Sequence, residues 1–126
     1  MAILQLRSNR KLTGGRYKRP KVRRLSQTGR LPILTKIADK RVRVDRVKGG
    51  NKKPRLLAMN IINVYDAETK KHELVKIDST AQNPANRQYV RRNILTKGCV
   101  VNTQKGLVKI TNRPGQERIF NGVFVK

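Results

Sequence analysis

The chemistry most evident in this sequence is the neutralisation of negatively charged groups by Lys and Arg. Ten basic residues and no acidic one lie between positions 7 and 30: Arg7, Arg10, Lys11, Arg16, Lys18, Arg19, Lys21, Arg23, Arg24 and Arg30. Arginine outnumbers lysine here, and its planar guanidinium forms paired hydrogen bonds with phosphate oxygens. The segment therefore predicts phosphate contacts rather than a merely solvated tail.

A second basic group surrounds the sequence Gly49-Gly50-Asn51. Its members are Lys48, Lys52, Lys53 and Arg55. Glycine has no Cβ, so the pair permits positive φ and close approach of the backbone to a phosphate. An ordinary hairpin turn is an equally good interpretation. The two are compatible, because a turn can present its amides to RNA.

The overall charge of the chain predicts the class of its binding partner. The chain has 126 residues with 31 Lys and Arg against seven Asp and Glu, a net charge of +24. Residues 1–55 hold nineteen of the basic residues and only two acids. A compact protein with this excess repels itself unless a polyanion neutralises it. Nucleic acid fits best, since each phosphate contact releases condensed counterions.

The sequence contains few residues of the types that commonly act in catalysis. His72 is the only histidine and Cys99 the only cysteine, so no zinc site can close within the chain. Asp66 and Glu68 fall in a polar turn beside lysines, and no phosphate-binding loop, dinucleotide or zinc-protease motif occurs. We therefore expect no enzymatic activity, no catalytic residues, no metal, no cofactor and no small-molecule substrate.

The cellular setting follows from two further features. No run of 18 apolar residues exists, so no membrane partner is expected. A single cysteine cannot form an internal disulfide, which favours a reducing compartment.

Apolar residues divide the chain into two predicted parts. Residues 1–55 contain seventeen of them and residues 56–126 contain twenty-nine. In residues 7–30 they follow no periodicity, and Gly14-Gly15, Pro20 and Gly29 interrupt any helix. We predict an extended basic arm over residues 1–40 and a folded β domain over residues 41–126, with the arm depending on its partner for order.

Short strands are predicted throughout the second part. Val42 and Val44 alternate with basic residues, which predicts a half-buried strand whose outer face carries Arg41 and Arg43 and which bulges or ends near Asp45–Arg46. Further strands are predicted over residues 56–65, 73–78, 99–101, 107–110 and 119–125. The fold class is mainly β, as a small barrel or sandwich.

One short helix is predicted to begin at Asn83-Pro84, with Asn as N-cap and Pro at the first helical position, and to end at Gly98. Its basic residues lie largely away from the apolar stripe and are further candidates for RNA contact: Arg87, Arg91 and Arg92. The five aromatic residues fall mostly in predicted strands and the core, so recognition by backbone and shape is expected rather than base stacking.

Several segments, in order along the chain, resemble the small-subunit ribosomal protein eight-e family of archaea and eukaryotes. They are Arg10–Arg16, Thr35–Ile37, Arg46–Lys53, Asn83–Arg87, Arg91–Gly98 and Arg113–Gln116. The short chain is similar to archaeal members.

The resemblance implies a six-stranded β-barrel and an arm embedded in small-subunit rRNA. It also implies a structural role, neighbouring ribosomal proteins as partners, and a cytoplasmic, ribosome-bound location. It adds candidate RNA contacts at Thr13, Gly14, Gly15, Lys36, Arg46, Gly49, Gly50 and Asn51. The charge alone also fits a DNA-compacting, chromatin-type protein and, less well, an RNA-processing enzyme.

Overall fold

Strands, one five-residue α-helix and two short 3-10 helices, Leu25–Gln27 and Lys48–Gly50, make up the regular structure of the residues that the computed structural model describes, which are 3–4, 6–18 and 24–125. The strands and the α-helix are numbered here. In chain order these elements are β1 (Ile3–Leu4), β2 (Thr28–Gly29), β3 (Thr35–Lys36), β4 (Arg41–Arg46), β5 (Lys52–Ala58), β6 (Ile61–Asp66), β7 (Lys71–Gln82), α1 (Arg87–Arg91), β8 (Ile94–Leu95), β9 (Val100–Thr103), β10 (Gly106–Ile110) and β11 (Phe120–Phe124). The predicted mainly β fold with one short helix is confirmed.

The chain divides into two compact units, Met1–Pro32 and Ile33–Lys126. In the first unit, β1 pairs with β2 in an antiparallel ladder. The second unit contains all the other strands and α1. Residues 33–40 therefore group with the strands, whereas the predicted arm extended to residue 40; the division of roles between arm and barrel stays a prediction.

A closed barrel forms the centre of the second unit. Its strand order is β10-β11-β6-β7-β9, and β10 pairs with β9 to complete the circle. All neighbours are antiparallel except β11 and β6, which run parallel. The barrel therefore closes with five strands where the resemblance implied six. The reason is that β4 and β5 pair with each other in a separate four-stranded sheet, ordered β4-β5-β3-β8.

Alternation along the barrel strands builds the core. Ile62 and Val64 of β6 are fully buried, while the neighbouring Ile61 is 40% exposed. Val75 and Ile77 share the inner face of β7, as their spacing predicted. Phe120 is the largest fully buried side chain among the described residues. Successive side chains of each strand thus fill the barrel and face solvent in turn.

The apolar run over residues 56–65 is not one strand. Hydrogen bonds from elsewhere break it between β5 and β6: Met59 donates its backbone N–H to the carbonyl of Lys36 at 3.2 Å, and Ile77 donates to the carbonyl of Asn60 at 2.8 Å. The chain changes sheets at this point, so both halves remain apolar while pairing with different strands.

The helix begins three residues later than predicted. Its N-cap is Asn86, whose side-chain oxygen accepts the Gln88 N–H at 2.8 Å. Asn83 is instead buried, and its amide nitrogen donates to the Ile94 carbonyl at 2.9 Å. The helix ends at Arg91 rather than near Gly98 because Ile94 and Leu95 form β8 and enter the sheet.

Cys99 is fully buried. Burial raises the pKa of its thiol, while a backbone hydrogen bond at Thr96 opposes that rise. This environment agrees with the interpretation of Cys99 as a small core residue. Among the described residues, no helix has the length and apolar content that crossing a membrane requires.

Candidate nucleic-acid interface

The described part of the basic arm is a continuous exposed surface. Every residue from Leu6 to Lys18 is exposed. The predicted contact residues in this stretch are Arg7, Arg10, Lys11, Thr13, Gly14, Gly15, Arg16 and Lys18. Since no acidic residue lies among them, the whole stretch presents positive charge to solvent.

The stretch is folded back on itself rather than extended. Arg10 and Arg16 form an antiparallel bridge. Lys11 donates its backbone N–H to the Gly15 carbonyl at 2.8 Å, and the Arg10 guanidinium donates to the Gly14 carbonyl at 3.2 Å. Gly14 has φ +84°, a conformation that glycine adopts without strain. The two glycines therefore make a tight turn that carries basic residues on both of its strands.

Tyr17 is outside the core, where most aromatic residues were predicted to lie. Its ring packs under the guanidinium of Arg7, whose Cζ lies 3.7 Å from the ring centre. The Lys11 ammonium lies 5.6 Å from the same centre. Stacking of this kind holds a guanidinium by its face and leaves the N–H groups at its edge available to an anion.

Of the five other predicted contact residues between positions 19 and 30, the structure describes two. Arg24 and Arg30 are exposed. The three basic positions Arg19, Lys21 and Arg23 lie outside the described residues.

The second basic surface lies on β4 and β5. Their register pairs Arg43 with Arg55, Asp45 with Lys53 and Arg46 with Lys52. The strand ends at Arg46 as predicted, although the irregularity in the ladder falls at Arg41/Val42 instead of near Asp45. Side chains paired across an antiparallel ladder share a face, so Arg43, Arg55 and Lys53 lie on the same face as the carboxylate of Asp45. Arg46 and Lys52 lie on the opposite face.

That carboxylate, Asp45, orients two of the arginines. Its Oδ1 lies 3.0 Å from Arg43 Nε, and its Oδ2 lies 2.8 Å from Arg55 Nε. The Arg55 side chain is only 19% exposed and also donates from Nη1 to the Gly115 carbonyl at 3.4 Å. Arg55 is thus engaged within the protein, while the half-exposed Arg43 faces solvent.

The glycine turn connects these two strands. Gly49 and Gly50 have φ +73° and +76°, so both adopt the left-handed region that a residue without a Cβ permits. Val47 donates its N–H to the Asn51 carbonyl at 2.7 Å and closes the turn. The turn and its flanks are exposed at Lys48, Gly49, Gly50, Asn51 and Lys52, and Lys53 is half-buried.

Lys36 and Arg41 lie on opposite sides of the same residue of β5. Both have Ala58 as their ladder partner, Lys36 from β3 and Arg41 from β4. Both are exposed. The helix contributes the exposed residues Arg87 and Arg91, and its C-cap residue Arg92 is exposed as well. The second unit thus gathers basic residues from three strands, one turn and one helix.

Two exposed basic residues were missed as candidate contacts. Lys97 and Arg113 line the same cavity, although they are sixteen positions apart in the sequence. Both belong to segments that resemble the family, Arg91–Gly98 and Arg113–Gln116. This resemblance is the feature of the sequence that could have identified them as contacts. Among the described residues, no group of three or more His, Cys, Asp or Glu side chains is arranged to hold a metal ion.

Comparison with known proteins gives full-length matches. The family model described as ribosomal protein S8e matches residues 4–125. Small ribosomal subunit protein eS8 of Methanocorpusculum labreanum is 44% identical over 124 residues, covering 98% of this chain and 99% of that protein. The eS8 protein of Methanobrevibacter smithii is 41% identical, covering 99% and 100%. That of Sulfolobus acidocaldarius is 42% identical, covering 100% and 99%.

These relatives are named as ribosomal proteins and not as enzymes, in agreement with the prediction that the chain has no catalytic role. The match extends from the arm through the last barrel strand, as the six resembling segments predicted. The archaeal type is confirmed as well, by relatives of the same length. The chain belongs to the ribosomal protein S8e family of the small subunit.

Proposed function

We propose that this chain is a structural constituent of the small ribosomal subunit that binds and stabilises folded rRNA through its phosphate backbone and shape. One observation carries the proposal: the exposed stretch from Leu6 to Lys18 combines five Arg and Lys side chains with no acid, on a turn fixed by internal hydrogen bonds. A preformed basic turn loses less conformational entropy on binding than a free tail does.

The arrangement favours backbone contacts over base reading. Arg7 is stacked on Tyr17 by its face, and stacking of this kind leaves the N–H groups at the guanidinium edge available to phosphate oxygens. The same ring is covered by the guanidinium, so it is a poor platform for a base. On β4, Arg43 is oriented by Asp45 and offers a second fixed guanidinium.

The proposed partners are small-subunit rRNA and neighbouring ribosomal proteins, and the proposed location is the cytoplasm, bound to the ribosome. The family to which the chain belongs supports both. A DNA-compacting role would use the same charge, but duplex DNA offers no single-stranded or irregular surface for the folded turn of residues 9–17.

A competition experiment tests the proposal. Filter binding at physiological salt should show folded small-subunit rRNA bound about tenfold or more tightly than duplex DNA of equal length, a difference of about 1.4 kcal/mol or more. In a second measurement, the chain should sediment with small subunits through a high-salt wash. Equal affinity for DNA together with loss in the wash would support DNA compaction instead.

Replacing Gly50 by Ala separates turn formation from RNA contact. Because φ is +76° and no heavy atom lies within 4 Å of the added methyl group, we expect a loss of about 1 kcal/mol in the free energy of unfolding. We also expect a loss of rRNA affinity larger than the fraction unfolded explains, because the methyl group obstructs a phosphate at the turn.

Gly106→Ala is the matched control. Gly106 also has positive φ and open space around it, but it is the first residue of β10, next to the turn that joins β9 and β10. It should lose stability without losing rRNA affinity. Urea denaturation and filter binding on both variants provide the comparison. Normal affinity in folded Gly50→Ala protein would leave Gly49 and Gly50 as turn formers only.

A further inference from the structure

A cavity of about 330 Å³ opens on the second unit, between β3, β8 and the loop that precedes β11. It includes no residue of the glycine turn and is lined by residues 33, 35, 95–97 and 113–116. Its volume is at the lower end of the range for small-molecule sites. The cavity is therefore large enough for one small planar group with a charged substituent.

The lining divides into an apolar floor and a cationic rim. Thr35, Leu95 and Pro114 are buried, and Ile33 is half-buried. The exposed members are Lys97, Arg113 and Gln116. No carboxylate lines the cavity, so the two cations have no acidic neighbour within it. An apolar surface next to two cations suits a ligand that is flat and apolar at one end and anionic at the other.

The walls are held by hydrogen bonds from other strands. Leu56 donates its N–H to the Pro114 carbonyl at 3.2 Å, and Arg55 donates to the Gly115 carbonyl at 3.4 Å. Thr35 Oγ1 donates to the Leu56 carbonyl at 2.9 Å and ties the floor to the same strand. The ion pair of Arg55 with Asp45 fixes the guanidinium that holds the loop. The cavity is therefore preformed.

We propose that this cavity receives one unstacked nucleotide of an RNA strand. The base lies against Leu95 and Pro114, its phosphate is bound by Lys97 and Arg113, and the Gln116 amide is available to an edge of the base as donor and acceptor. The inference rests on the proposed RNA-binding function and adds to it a site for a base, where the arm and the glycine turn supply only backbone contacts.

An NMR titration of the full-length, ¹⁵N-labelled chain tests the site. The probes are 5′-AMP, 5′-UMP and ribose 5-phosphate, which carry the same phosphate and differ in the base. The nucleotides should shift the amide signals of residues 95–97, 115 and 116 and bind about tenfold or more tightly than ribose 5-phosphate, because only they bury a base on the apolar floor.

Charge-matched variants exclude a general effect of the high net charge. The double variant Lys97→Gln with Arg113→Gln should weaken nucleotide binding about tenfold or more, since it removes both phosphate contacts. The control variant Lys109→Gln with Arg118→Gln makes the same charge change at exposed residues outside the cavity and should bind as the parent does. All four residues are exposed, so both proteins should keep their folded spectra.

Several outcomes would overturn the inference. Equal shifts with ribose 5-phosphate would make the cavity an anion site only, and displacement of the nucleotide by a tetra-aspartate peptide at similar concentration would assign it to an acidic protein segment. If nucleotides leave the cavity signals unchanged while rRNA still binds in a filter assay, the nucleotide site is wrong and the proposed function stands. Failure of rRNA itself to bind would reject the proposed function.

Discussion

Raising monovalent salt from about 50 to about 200 mM is expected to weaken binding of this chain to small-subunit rRNA by roughly 10⁴–10⁵-fold. The reason is the number of phosphates that the basic surfaces can neutralise. For about ten contacts, log K should fall against log salt with a slope of magnitude about 7–9. Filter binding over a salt series measures the slope directly.

The described arm should account for a large share of that slope. Changing four of its residues to Gln should reduce the magnitude by about 3–4, close to one for each lost phosphate contact. The four are Arg7, Arg10, Lys11 and Arg16, all exposed on the turn.

An equal charge change elsewhere is the control. The four exposed lysines for this variant lie on or near the β6–β7 hairpin and on β10: Lys70, Lys71, Lys76 and Lys109. Their replacement by Gln should leave the slope nearly unchanged, because four of the seven acidic residues lie between positions 61 and 82 and no phosphate is expected there. Equal reductions in the two variants would mean that net charge, rather than the arm, determines binding.

Replacing Gly122 by Ala is expected to lower the free energy of unfolding by about 1–3 kcal/mol, through overpacking of the barrel. A methyl group at this position would lie 2.6 Å from Val108 Cγ1, 2.9 Å from the Lys109 carbonyl oxygen and 3.0 Å from Ile62 Cδ1. The side chains can rotate away, but the carbonyl belongs to the ladder between β10 and β11. Relief therefore requires movement of the strands themselves.

Urea denaturation measures this loss, with Gly115→Ala as the control. Gly115 lies in the same unit, but a methyl group there would have no heavy atom within 4 Å, and its φ is not positive. Its substitution should change stability by less than about 0.5 kcal/mol. A Gly122→Ala midpoint equal to that of the parent would show that the barrel yields more readily than its packing indicates.

Local chemistry accounts for the parts of the fold that the sequence predicted. Gly49 and Gly50 adopt the positive φ that their lack of Cβ permits. Val75 and Ile77 face the core because side chains alternate along a strand. Features decided by distant partners were not predicted. Residues 56–65 divide into two strands because the backbone groups of Met59 and Asn60 form hydrogen bonds with Lys36 and Ile77. Hydrogen bonds between residues so far apart in the chain leave no periodic pattern in the sequence.

Asn83 and Asn86 illustrate the same point, because local sequence alone does not distinguish which of the two asparagines caps the helix. Both can cap a helix, and the following proline favoured Asn83. The structure uses Asn83 to hold Ile94 and Thr96, so Asn86 becomes the cap. The candidate nucleic-acid interface also combines features set by local sequence with features set by distant residues. Basic runs are visible in the sequence. The cavity beside Lys97 is formed by three segments that are far apart in the chain, so only the folded structure reveals it.

The parallel pairing of β11 with β6 sets an order for events during translation. The basic arm leaves the exit tunnel before β6, and β6 leaves it long before β11, with residues 67–119 made between these two strands. Until β11 is synthesised, one edge of β6 has no partner and the barrel stays open along it, a state that invites mispairing with other chains. Any RNA bound by the nascent arm would therefore be engaged before the barrel could close.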